Sequence, residues 1–432
     1  MLNTSALLTD RYELTMLQAA RHSGRADRNC VFEVFTRHLP TGRRYGVVAG
    51  TARLLEHLQD FRFDQSTLDW LRAEQVVDSA TIDWLANYKF TGNISGYREG
   101  ELFFAHSPVL TVEATFAEAV LLETLILSIF NYDSSVASAA SRMVTAANGR
   151  FVAEMGGRRV NENAAVAAAR AAYVAGFDAT SNLEAGRSWA IPTMGTAAHA
   201  FTLLHDTEEL AFKAQLETFG EKTTLLVDTF DIEAAVRKAI ELAPNLGAVR
   251  IDSGDLGIEV NRVRKLLDNL GANETKITVT NDLDEYAIAA LAAAPVDAYG
   301  VGTSVATGSG APTAGFVYKL VSFEGADGNW KSVAKKSAMK ANIGGRKSAV
   351  RRLDSRGVAT TEVIGSEVSP AADANDRNLL VSLVENGNVN QMYAGPAGTT
   401  LAREHHKSAK AELPLQGLRL MRGDAAITTE FV

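Results

Sequence analysis

Apolar residues recur along the chain with two different periods, and the changes from one to the other divide it. Leu14 and Leu17 follow Asp10 and Glu13, which stand at capping-box separation, so residues 9–22 predict a helix. VFEVF, residues 31–35, alternates as a strand does. Helices are expected over 47–59 and 66–87, and short strands within 94–115. The strongly apolar stretch 117–130 and the alanine-rich stretch 134–147 predict two more helices, and FVAEMG reads as a buried strand. A helix over 163–176 and another from about 197 to 204 follow. Then strands and helices alternate: TTLLVDTF, 231–243, LGAVRIDSG, 256–270, KITVTNDL, 283–293 and AYGVGTSV. Strands separated by helices of roughly 10–15 residues make βαβ units and a largely parallel sheet. Six or more such units favour a barrel over a doubly wound sheet.

Beyond Lys319 the pattern turns to short strands and glycine turns, and 398–411 reads as an exposed helix with His405 and His406 on its solvated face. The expected organisation is therefore an N-terminal segment 1–115, a barrel over 116–320, and a tail, 321–432, that returns to the N-terminal segment to complete one discontinuous α/β domain.

Composition narrows the partners. The chain has 432 residues, 46% hydrophobic and 22% charged, which is ordinary for a globular protein. A formal net charge of −8 argues against a general nucleic-acid binder but not against one small phosphorylated ligand in a local pocket. The single cysteine, Cys30, rules out an internal disulfide and suits a reducing cytoplasm. No basic and then apolar leader opens the sequence, and AEAVLLETLILSIF is shorter than the ~20 apolar residues of a membrane span. No membrane partner is expected.

In parallel α/β units, ligands sit beyond the carboxyl ends of the strands. Those ends read EMGGRR, DATSN, TMGTAAH, VDTFD, RIDSGD, TNDLDE and YGVGTSVATG: small, polar and charged throughout. In RIDSGD, Arg250, Asp252, Ser253, Gly254 and Asp255 suit a polyhydroxylated, phosphorylated ligand, although Asp255 is equally placed to cap the next helix. Gly302 and Thr303 offer amides and a hydroxyl for a phosphate; the run lacks the third glycine of a dinucleotide fingerprint and the lysine of a P-loop. Arg158 can grip a carboxylate or diphosphate with two donors. His199, in PTMGTAAHAF, stands where a helix begins; a neutral imidazole there is a nucleophile, and the helix amides can hold an incoming phosphoryl group. Packed quietly against a neighbour, the same histidine would have no chemistry.

Taken in order, LLTDRYELTM, FEVFTRHLP, GGRR, GFDATSN, PTMGTAAHAF, LVDTFD, RIDSGD, NDLDE, YGVGT, KKSAMKANIGGRKSAVR and LAREHHKSAKAELP resemble the nicotinate phosphoribosyltransferase family over nearly the whole chain. The resemblance implies an irregular α/β barrel of the type II phosphoribosyltransferase kind, with a second α/β domain built from the N- and C-terminal segments. It implies a homodimer with shared active sites, and ATP-coupled transfer of 5-phosphoribosyl from phosphoribosyl diphosphate to nicotinate with Mg2+. By resemblance His199 is the phosphorylated histidine, Arg250 and Asp252 lie around ribose and ring, and Gly302 and Thr303 hold the 5-phosphate. Ser253, Gly254, Asp255 and Asn281 are also expected to bind substrate. Arg158 and Ser181 lie near the pyridine and its carboxylate, and Tyr12 stacks on the ring from the partner subunit. Two departures stand out. Met155-Gly156 replaces a frequent Phe-Gly, and Ser138-Ala139 stands where Thr-Lys is expected, so that Arg142, Lys335 or Lys336 would have to supply a phosphate contact. A nicotinamide- or quinolinate-using relative, and a non-catalytic sugar-phosphate sensor, remain the alternatives.

Overall fold

The computed structural model describes residues 4–335, 342–371 and 373–432. Its chain forms two compact units, one from residues 1–138 and 311–432, the other from 139–310.

The discontinuous unit is built on an antiparallel sheet. Asn29–Thr36 lies between Leu110–Thr115 and Phe316–Glu324, with Thr36 opposite Phe316 and Cys30 opposite Phe323. A strand from beyond residue 310 is thus seated beside one from the first 40, and its pairing draws residues 311–320 into this unit rather than into the barrel. Asn93–Tyr97 and Leu380–Glu385 extend the sheet. Asn29–Thr36 is buried on both faces, so the alternation seen in its sequence has a special outcome at Glu33: the carboxylate is enclosed, 3.2 Å from Lys347, and burial pushes it up to about 7 against the pull of that lysine. Phe32 stacks on Tyr318 at 4.8 Å in the core.

Three expectations for this unit are corrected. Residues 66–87 make two helices, Gln65–Ala73 and Ser79–Leu85, because Asp64 and Asp78 each cap a helix start and Gln75 between them has φ of 48°. The break expected near residue 132 lies instead before Glu123–Ala147, a continuous helix. Its mid-helix polar residues have partners outside the helix: Ser134 and Ser138 accept the amides of Ala49 and Val47, while the Ser138 hydroxyl also donates back to the Ser134 carbonyl, and Asp133 pairs with Arg53 at 2.6 Å. Finally, Gly395–Ala411 is not solvated all round. Gly398, Ala402, His406 and Ala409 form a buried stripe, and His406 is pulled down to about 3 by burial and by Lys410. The stripe lies against Gly100, where a Cβ would stand 2.2 Å from the Ala402 carbonyl.

The second unit carries six parallel strands in the order Ala179–Thr180, Phe151–Glu154, Ala298–Val301, Lys276–Val279, Ala248–Ile251 and Thr224–Leu226. The first and last strands of this unit are neighbours, the cyclic order of a barrel and not of a doubly wound sheet, while the edge strands Ala179–Thr180 and Thr224–Leu226 are not paired with each other, so the sheet is a half-barrel. Thr193 adds a bridge to Thr180 at one edge. The strand set is short and uneven, hence irregular. Helices follow the strands with apolar stripes turned inward, as in Ile232–Leu242, where Ala235, Val236, Ala239 and Ile240 are buried. Three helices had no forecast, Leu183–Trp189, Glu208–Phe219 and the short Thr303–Ala306, the last lying where the strand AYGVGTSV was expected to run on.

Candidate active site

The barrel's strand tips are trimmed by side chains that stop the helices. Asn161, Asn182, Asp231, Asp255 and Asp284 each accept an amide of the helix that follows. Asp255 therefore takes its structural role: Oδ1 accepts from the Ile258 amide at 3.1 Å. The tip residues with no capping duty are the ones that meet.

His199 opens the helix His199–Leu204, and its Nε2 lies 3.1 Å from Asp228 Oδ1. The imidazole is 39% exposed while the carboxylate is 1% exposed, so one partner is held and the other presented. The second oxygen of Asp228 accepts from the Asp252 amide at 2.9 Å and the Ser253 hydroxyl at 2.6 Å. One buried carboxylate thus joins TMGTAAH, VDTFD and RIDSGD. Asp252 is oriented in turn by the Thr280 hydroxyl, which donates to Oδ1. Thr280 is fixed by its own amide on the Ile251 carbonyl at 3.0 Å.

Arg250 points from the same tip. Nη1 donates to Thr196 Oγ1, and Nε is buried with no protein acceptor. Burial lowers its pKa from the usual guanidinium range, the charges of Asp252 and Asp228 oppose that, and Arg158 adds like-charge repulsion. Two guanidiniums close enough to repel make a place that an anion relieves. Thr196, the second threonine of PTMGTAAHAF, steadies Arg250, while the bulk-free run around it leaves the imidazole accessible.

A profile of the nicotinate phosphoribosyltransferase N-terminal domain matches residues 7–131. A Mycobacterium tuberculosis nicotinate phosphoribosyltransferase, pncB1, is 51% identical over 99% of this chain and 95% of its own. The chain belongs to the nicotinate phosphoribosyltransferase family. The Bacillus subtilis nicotinate phosphoribosyltransferase is 37% identical over 81% of this chain and 73% of its own. The crystal structure of human nicotinic acid phosphoribosyltransferase superposes with a TM-score of 0.83 at 23% identity, covering 98% and 97% of the two chains, a likeness of fold.

The remaining family positions fall as follows. Arg158 and Ser181 are exposed at adjacent strand tips, since Phe151–Glu154 and Ala179–Thr180 pair with Glu154 opposite Thr180. Gly254 has φ of 82°, and Asn281 and Asp282 are held at 101° and 45°, the left-handed backbone that side chains avoid. Gly302 precedes the short helix Thr303–Ala306, and Thr303 is exposed. Tyr12 lies in the discontinuous unit, exposed on Arg11–His22; burial and the carboxylates of Glu123, Glu13 and Asp10 push its hydroxyl up to about 12. Met155 packs against Gly300, where a Cβ would come within 2.7 Å of its sulfur. Of the cations named to replace the missing lysine, Arg142 is committed elsewhere: it is buried, 3.0 Å from Glu285. Lys335 is exposed and Lys336 lies outside the described residues.

Four contributors went unread in the sequence: Asp228, Thr196, Thr280 and Glu154. VDTFD held the signal for the first. Of its two aspartates, Asp231 stands where a cap belongs, which left Asp228 without a structural duty.

A cavity of 780 Å³ opens at the other end of the barrel, lined by strand starts such as Phe151, Thr224, Lys276 and Ala298. None of His199, Asp228, Arg250 or Asp252 lines it, so size does not locate the chemistry here; the convergence of titratable groups does. Among the described residues no three His, Cys, Asp or Glu are grouped to hold a metal. Asp252, whose Oδ1 accepts from the Thr280 hydroxyl, is the oriented carboxylate at these tips. No helix of the described residues is long and apolar enough to cross a membrane.

Proposed function

We propose that this chain transfers the 5-phosphoribosyl group of phosphoribosyl diphosphate to nicotinate, forming nicotinate mononucleotide and diphosphate, and couples that transfer to ATP through phosphorylation of His199. The observation that carries the reading is the Asp228 carboxylate, which binds His199 with one oxygen and the Asp252–Ser253 tip with the other. A phosphorylation site and a sugar site are thereby one network.

Asp228 on Nε2 leaves Nδ1 as the nucleophilic nitrogen. Nδ1 attacks the γ-phosphorus, the bond to the ADP oxygen breaks, and ADP departs with the electron pair, while Asp228 holds the Nε2 proton. The phosphoryl group adds a charge of about −2 next to the sugar site. In the transfer itself the pyridine nitrogen bonds to C1 of the ribose as the C1–O bond breaks, and diphosphate leaves with the pair. Asp252, aligned by Thr280, receives the ribose hydroxyls. Arg250 and Arg158 take the anionic groups, with Arg158 on the nicotinate carboxylate. Gly302 and Thr303 take the 5-phosphate. Mg2+, when bound, neutralises charge building on the diphosphate.

Leu183, Phe230 and Ile258, beyond strand tips, and Leu203 and Leu204, at the end of the helix that His199 opens, are exposed apolar residues. They suit a second copy of the chain, whose Tyr12 would stack on the ring. The reduced, buried Cys30 suits a cytoplasmic protein.

His199→Ala is expected to abolish ATP cleavage and ATP stimulation and to retain basal transfer. ATP hydrolysis by that variant in step with product would overturn the assignment. Competition of nicotinate with nicotinamide in one assay, with diphosphate release as the readout, separates this reading from a nicotinamide-using enzyme and from a sensor that binds without turnover.

A further inference from the structure

We propose that Glu154 is a positioning residue for nicotinate, tying the strand tip that carries Arg158 to the tip that carries Ser181. This rests on the reading of Arg158 as the carboxylate fork.

Glu154 ends the strand Phe151–Glu154 and is 1% exposed. Oε1 accepts the Gly156 amide, which fixes the turn leading to Arg158. Oε2 accepts the Thr180 hydroxyl at 2.6 Å, and the main-chain oxygen accepts the Ser181 amide at 2.9 Å. Three acceptors of one residue therefore hold two tips. The clamp runs further on each side. Thr180 Oγ1 also receives the Asn182 amide at 3.0 Å, and Asn182 caps Leu183–Trp189. On the other flank the Met155 amide donates to the Val301 carbonyl at 2.7 Å. A Cβ on Gly156 would stand 2.8 Å from the Gly302 carbonyl, so the turn lies flush against the phosphate loop and has no slack.

The donors to the Glu154 carboxylate are an amide and a hydroxyl, and among the described residues no cation acts on it. Burial accordingly raises the carboxyl above its usual range, with the Thr180 and Gly156 hydrogen bonds opposing. A carboxyl group kept in an unfavourable place, where its acceptors reach two tips, marks geometry rather than charge as its contribution.

The test compares Glu154→Met with Glu154→Gln. Methionine matches the length and has no strong acceptor; it should raise the nicotinate KM roughly 10-fold, with kcat and the phosphoribosyl diphosphate KM changed less than about threefold. Glutamine can accept from Gly156 through its oxygen and donate to Thr180 Oγ1 through its amide, so it should restore the nicotinate KM to within about threefold. Equal losses in the two variants, or a loss confined to kcat, would overturn positioning. If Glu154→Met does not fold, Thr180→Val removes one strut and should raise the same KM alone; an unchanged KM would count against the clamp. Adding Glu154→Met to Arg158→Ala should not raise the nicotinate KM beyond that of Arg158→Ala, and an additive rise would overturn action through Arg158. If Arg158→Ala by itself leaves the nicotinate KM unchanged, the fork reading fails, and the Met and Gln pair then judges the clamp through the Ser181 tip.

Discussion

Glu101 in the discontinuous unit and Glu154 in the barrel are each 1% exposed, yet their surroundings are opposite. Glu101 meets Arg377 at 2.6 Å, His405 at 2.8 Å and Arg351 at 3.8 Å. Burial would raise it, but hydrogen bonds from His405 and Arg377 and the charge of Arg351 hold it far below the usual carboxylate range. Arg351 is shared with Glu362 at 2.8 Å, and Arg377 with Glu412 at 2.6 Å. Glu154 has neutral donors only, and it is raised. The neighbours differ in the same way: Arg351 and Arg377 are each paired with two protein carboxylates, although Arg351 Nε and Nη1 have no hydrogen-bond partner, whereas Arg250 at the barrel tips donates to a threonine hydroxyl through Nη1 and its buried Nε has no protein acceptor. Buried charge that is matched inside the protein stabilises a fold. Buried charge left unmatched, ringed by polar tips, waits for a ligand.

The largest effect should come from breaking the matched cluster. Glu101→Ala strands Arg377 and Arg351 beside a cavity, and loss of one partner of a buried ion network costs about 3–5 kcal/mol. Denaturant titration should show that loss, with kcat per folded molecule unchanged. Glu154→Gln, which strands no cation, should cost under about 1 kcal/mol in the same titration. Equal losses would erase the distinction between the two acids.

Next is Asp228→Asn, which keeps the shape and removes the charge from His199. If His199 is phosphorylated as proposed, its phosphorylation by ATP should fall by about 10²-fold or more, because the carboxylate facing Nε2 is gone. Stability should change far less than in Glu101→Ala. Acid-labile phosphate on the protein, measured over a time course, reads the effect; an unchanged rate would place the role of Asp228 in structure alone. Thr280→Val should act more weakly still, about 10-fold on the phosphoribosyl diphosphate KM, since it removes one hydrogen bond to a charged acceptor.

The sequence pattern carried the barrel well, for a physical reason. Each strand is a short apolar run closed by turn chemistry, and each following helix starts at a capping residue, so LGAVRIDSG or KITVTNDL declares itself locally. Helix breaks were less legible, since they depended on distant partners: the serines of Glu123–Ala147 look like a turn until Ala49 and Val47 are seen to donate to them. His406 was read as solvated because the close approach of Gly100, some 300 positions earlier, leaves no local mark. In the site, His199, Arg250 and Asp252 stood out by residue type. Asp228 and Glu154 did not, as their value lies in which two tips each one joins, and that is decided by strand order.

The smallest effect is the most direct probe of the barrel's unmatched charge. Glu208 opens the helix Glu208–Phe219, and burial, then the charges of Asp228 and Asp231, push it up to about 6. In the unfolded chain its pKa is that of an ordinary glutamate, about 4.3. Below that value both states hold the proton, and Glu208 costs the fold nothing relative to glutamine. As pH rises toward 6 the unfolded chain ionises first, so the wild type loses stability against Glu208→Gln, and the loss levels off above about 6. The group is partly solvated, so the plateau should be under about 1 kcal/mol. Melting temperatures should therefore coincide near pH 4 and favour Glu208→Gln at pH 7. Introducing Asp228→Asn should shrink that gap, because it removes one of the charges that Glu208 opposes. A gap indifferent to pH, or to Asp228, would mean that the carboxylates at this end of the barrel do not sense one another, and the case for a charge-strained site would lose its simplest support.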